Sequence, residues 1–122
     1  MASVFRELVI DCQDAQRVAE FWSEVLDWPV VEDQQGFYWL SSTGEVTAPP
    51  PLLVFEPVPE PKTTKNRLHI DLNPSGADQE EELERLLALG ARRVDIGQGD
   101  VPWVVLADPE GNEFCLLRRR VD

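Results

Sequence analysis

The feature that most restricts the fold of this chain is a recurrence: its second half repeats the order of local signals found in its first. Val4 to Asp11 alternates, with Val4, Leu8 and Ile10 on one face and Phe5, Glu7 and Val9 on the other, as a half-buried strand requires. Asp14 stands where it can accept hydrogen bonds from the first turn of a helix. Ala15, Val18, Ala19, Trp22, Val25 and Leu26 then recur at helical spacing, which makes one apolar stripe. Phe21 adjoins Trp22, so one of the two is expected to point away from that stripe, and an exposed aromatic there would mark a subunit interface. Pro29 ends the helix. Val30 to Glu32 and Phe37 to Leu40 flank Asp33-Gln34-Gln35-Gly36, a hairpin signal. Leu52 to Glu56, bounded by Pro49-Pro50-Pro51 and Pro57, reads as a fourth strand.

The second half runs through the same succession. Arg67 to Leu72 alternates, Ser75 and Asp78 are spaced as a capping arrangement, and Leu83, Leu86 and Leu87 form a helical stripe closed by Gly90. Val94 to Ile96, Val101 to Ala107 and Asn112 to Arg118 supply three strands. Between the last two, Asp108-Pro109-Glu110-Gly111 is a tight turn: Pro109 sets φ, and Gly111 tolerates the positive φ that other residues resist. Beyond it Phe114 and Leu116 point one way, and Glu113, Cys115 and Leu117 the other. Glu7 to His69 is 62 positions and Asp14 to Asp78 is 64, the nearly constant offset of a duplicated unit. The expected fold class is α+β, one domain over 1–122 built of a module at about 1–57 and another at about 66–122. The segment between them, Glu56 to Lys65, alternates prolines and reads as a stiff, extended linker.

A chain of 122 residues suits one domain with its own core. Its net charge of −12 argues against nucleic acid and anionic membranes, which would repel it. Met1-Ala2-Ser3 leads into a strand without a signal-peptide core, so the expected location is the cytoplasm. Cys12 and Cys115 are too few for a disulfide framework.

Several of these segments together resemble the glyoxalase and bleomycin-resistance-like proteins of the vicinal oxygen chelate superfamily. The residues that carry the resemblance are Ile10-Asp11-Cys12-Gln13-Asp14, Ala19-Glu20-Phe21-Trp22 with Leu26-Asp27-Trp28, Lys65 to Leu72, Leu87-Ala88-Leu89-Gly90-Ala91, and the Asp108 turn. The resemblance implies two βαβββ modules whose curved mixed sheets enclose a cleft, with helices outside. It also implies a small-molecule ligand and a homodimer, and the stiff linker suits exchange of modules between two chains.

In that family the cleft commonly holds a divalent metal, with ligands on the first and fourth strand of each module. Carried onto this chain, those positions are Glu7, Glu56, His69 and Cys115. Such a set could bind a divalent ion, and a thiolate would favour zinc. A single His, with Cys where active members carry Glu, departs from the known ligand sets. A metal is therefore not favoured, and the cofactor is left unknown.

His69 is the only histidine. Flanked by Arg67 and Asp71 on one strand face, it is the candidate acid–base residue or ligand contact; the alternative is a satisfied polar network. Lys62, Lys65 and Arg67 form a basic cluster that could hold an anionic group, Arg67 foremost because its fork matches carboxylate and phosphate. Trp39 and Trp103, on third strands, are candidate ligand walls. Two functions remain open. One is a small-molecule-binding protein or an enzyme of lyase, isomerase or dioxygenase type acting on an oxygen-rich or anionic metabolite. The other is a non-catalytic protein that sequesters a drug or metabolite.

Overall fold

The computed structural model describes all 122 residues. They divide into two compact units, Met1–Pro61 and Lys62–Asp122. Unit 1 runs β1 (Glu7–Cys12), α1 (Ala15–Leu26), β2 (Val30–Glu32), β3 (Tyr38–Leu40) and β4 (Leu52–Pro57). Unit 2 repeats that order as β5 (Ile70–Leu72), α2 (Gln79–Leu89), β6 (Arg92–Arg93), β7 (Val104–Ala107) and β8 (Glu113–Leu116). Each is a βαβββ module, and the α+β expectation holds. The sheets share one topology, β1-β4-β3-β2 and β5-β8-β7-β6, with the first and last strand of each module parallel and the other pairings antiparallel.

Local chemistry explains the helices. Asp14 caps α1 by accepting from the N–H of Arg17 at 3.2 Å, and Asp27 closes it in the left-handed conformation just before Pro29. Ala15, Val18, Ala19, Trp22 and Val25 are buried as the stripe requires, and α1 packs on β3 and β4, where Leu40, Leu53 and Phe55 are buried. Phe21 corrects the expectation of an exposed aromatic. It is buried beside Trp22, the rings edge to face with centroids 5.5 Å apart. A wide apolar face, rather than a narrow stripe, accommodates both.

In unit 2 the cap of α2 is Asp78 alone, accepting from the N–H of Glu81 at 2.9 Å; Ser75 lies outside the helix. Gly90 ends it with φ 118°, as expected. Leu83 and Leu86 are buried, but Leu87 is 38% exposed, so the stripe is narrower than its spacing suggests. The strand of the second hairpin begins later than expected, at Val104, and β6 falls on Arg92–Arg93 rather than on Val94 to Ile96.

The Asp108 turn forms as read. Its Oδ1 accepts from the backbone N–H of Glu110 and Asn112, its Oδ2 from the Asn112 side chain, and Gly111 takes φ 89°. Asp33 repeats this in unit 1, accepting from Gln35 and Phe37, with Gly36 at φ 82°. Both cysteines are free and buried. No helix is long and apolar enough to cross a membrane.

Candidate functional site

Strand register decides which of the candidate residues meet. In the parallel ladder of unit 2, Asp71 is the partner of Cys115. His69 lies two residues before Asp71, just ahead of β5, and its Nε2 is 3.0 Å from Oδ1 of Asp71. Imidazole, carboxylate and thiol thus gather, with their donor atoms all within 4.8 Å of one another. His69 and Asp71 are about half exposed, at 46% and 49%, whereas Cys115 is buried. Burial raises the Cys115 thiol above its ordinary pKa, and the Asp71 carboxylate raises it further; both disfavour the thiolate. The carboxylate fixes the imidazole's orientation.

Arg67 does not join them through the strand, because a bend at Arg67 and Leu68 interrupts the expected alternation before β5 starts. Lys62 and Lys65 leave the expected anion cluster as well. Lys62 pairs with Glu113 at 3.0 Å, and Lys65 donates to the Asn66 carbonyl at 3.1 Å.

The same logic corrects the metal set in unit 1. Glu7 pairs with Leu52, whereas Glu56 pairs with Asp11. Four residues separate Glu7 from the row of Glu56, about 13 Å along the strands, so the two carboxylates do not converge on one ion. The last ladder bonds before each helix, Val58 N–H to Cys12 and Leu117 N–H to Leu72, make Cys12 the counterpart of Leu72. The counterpart of His69 is then Val9, not Glu7, and the offset of the first strands is 60 rather than 62. Unit 1 carries an apolar side chain where unit 2 carries imidazole.

That substitution accompanies an open hollow of about 260 Å³ on the sheet of unit 1. Its floor is a row across three strands, Val9 beside Val54 beside Trp39, with Phe37 adjoining. Its polar lining is Arg6, Glu7, Asp33 and Glu56. Trp39 lines this hollow. Trp103 is not its counterpart: it precedes β7 in a bend, 40% exposed. Val9, Val54 and Phe37 were legible only as alternating strand residues. What singles them out is the register that sets Val9 and Val54 beside Trp39.

Residues 7–117, which hold both βαβββ modules, are matched by a family model described as a glyoxalase-like domain. The chain belongs to that family. Among solved structures, this glyoxalase-like chain is similar to the fosfomycin resistance protein FosX of Mesorhizobium loti, at 15% identity and TM-score 0.69, covering 96% of this chain and 92% of that one. It is also similar to FosX of Listeria monocytogenes complexed with Mn(II) and a dihydroxypropylphosphonic acid, at 14% identity and TM-score 0.63, covering 96% and 90%. A third likeness is to a glyoxalase/bleomycin resistance protein/dioxygenase family enzyme of Burkholderia phytofirmans, at 18% identity and TM-score 0.57, covering 90% and 94%. At these identities the likenesses show the fold. No curated protein matches the glyoxalase-like sequence.

Proposed function

We propose that this glyoxalase-like chain is a small-molecule-binding protein that holds its ligand in the hollow of unit 1, against the row of Val9, Val54 and Trp39. That row is the observation that carries the reading. An exposed valine and a partly exposed tryptophan on a sheet face offer apolar area that a flat ligand can cover. With Val9 in place of an imidazole, and Glu7 out of register with Glu56, the hollow has the makings of a binding surface rather than of a metal centre. The test is a screen of one- and two-ring fragments against labelled protein, reading the Trp39 indole N–H by NMR. Fragments are expected to shift that signal, and their binding to be lost in Trp39→Ala. A screen in which no fragment moves Trp39 defeats the proposal.

A second reading, a metal-assisted enzyme, draws on the His69, Asp71 and Cys115 cluster. The three donors are of the kind that zinc takes and lie within 4.8 Å of one another; drawn in, they would fill three positions of a tetrahedral ion, leaving one open. A thiol among them suits zinc better than the Mn(II) of the Listeria relative. Bound there and held by His69, Asp71 and Cys115, zinc would supply Lewis acidity toward a substrate oxygen. Elemental analysis of freshly purified protein tests this. Stoichiometric zinc that disappears in His69→Ala supports the enzyme; protein free of zinc, and unable to take it up on titration, removes it.

A further inference from the structure

Resting on the reading that the unit 1 hollow seats a ligand, we infer that this ligand is a small organic cation, an ammonium or amidinium group carried on a flat one- or two-ring body. The size comes from the hollow. At about 260 Å³ it lies below the roughly 300 Å³ at which drug-sized pockets begin. The flat body follows from the Val54 and Trp39 floor. The charge comes from what surrounds it: three carboxylates, Glu7, Asp33 and Glu56, against the single guanidinium of Arg6.

Glu56 adds an independent argument. Its partner across the parallel ladder is Asp11, and strand alternation sets both side chains on the face of Val9 and Val54. Like charges directly opposite one another in a sheet are destabilising. The ion pairs of the chain join Lys62 to Glu113, His69 to Asp71, Arg85 to Glu82 and Arg120 to Asp122, so neither Asp11 nor Glu56 has a cationic partner. A cation bound at Glu56 offsets this repulsion, and its ring on the Trp39 indole adds stacking and cation–π attraction. The anionic metabolite anticipated from the family resemblance would instead meet these carboxylates in a chain of net charge −12.

Three probes sharing one ring system separate charge from fit: naphthylmethylammonium, naphthylmethanol and naphthoate. Affinities are measured by calorimetry at low salt, and the site is located by the Trp39 indole N–H signal. The ammonium is expected to bind at least about tenfold more tightly than the alcohol, a difference of one ion pair in a partly dry site, with the carboxylate weakest. Glu56→Gln and Asp11→Asn should each erode that preference, and added salt should weaken the ammonium alone. If all three bind at Trp39 with equal affinity, or the carboxylate binds best, the charge inference is wrong and the binding reading stands. If none moves Trp39, both are wrong.

Discussion

Asp71 and Cys115 face each other across the parallel ladder of the second sheet, so a carboxylate and a buried thiol share one face at strand spacing. The first sheet places Asp11 opposite Glu56 in the corresponding rows. Each module thus carries an acidic residue at this place on its first strand, while the flanking places differ, His69 against Val9 and Cys115 against Glu56. One module gathers an imidazole, a carboxylate and a thiol; the other presents an apolar floor edged with carboxylates.

Alkylation of Cys115 should report its carboxylate neighbour. Burial and Asp71 both hold the thiol above its ordinary pKa, and only the thiolate reacts readily. In a Cys12→Ala background, the iodoacetamide rate should climb with pH to a midpoint above that of an ordinary thiol. Asp71→Asn should lower that midpoint. An unchanged midpoint would show that burial alone sets it.

Glu113 clamps the start of unit 2. Burial would raise its carboxyl, but the Asn66 N–H at 2.9 Å and the Lys62 ammonium at 3.0 Å donate to it and outweigh that effect, so its pKa falls below the ordinary 4.5. A folded value below the unfolded one contributes stability above about pH 4.5, lost as pH falls through the folded value. Glu113→Gln should cost about 2 kcal/mol at neutral pH and much less in strong acid. Urea unfolding of both proteins across that range checks it; a penalty independent of pH would mean the charge is irrelevant.

Asp108 organises the last hairpin through two backbone donors and the Asn112 amide while 1% exposed. Asp108→Ala strands those donors and should destabilise by about 3 kcal/mol. Asp108→Asn, which keeps an acceptor for the backbone, should cost less. Thermal unfolding that ranks the two variants the other way would contradict this account of the turn.

Ser41 lies immediately after β3, fully buried, with its Oγ unpaired. An unsatisfied buried hydroxyl is a liability, so Ser41→Ala should leave stability unchanged or raise it by up to about 1 kcal/mol. A clear loss in denaturant midpoint would reveal a partner for the hydroxyl.

Much of this was written into short stretches of the chain. The caps Asp14 and Asp78, the closing Gly90, the turns at Asp33 and Asp108, and the α1 stripe depend on residues within a few positions of one another. Their hydrogen bonds form wherever the local backbone goes, so the sequence by itself determined the two βαβββ modules. It could not determine which side chains meet across strands. Glu7 and Val9 share a face by alternation, and choosing between them as the counterpart of His69 needs the register against β4, set by a segment some 45 residues away. Phe21 beside Trp22, Lys62 drawn to Glu113, and Asp11 set against Glu56 are likewise long-range outcomes. Only the tertiary structure decided them, because a slip of two residues keeps every apolar side chain on its face while exchanging the members of a site.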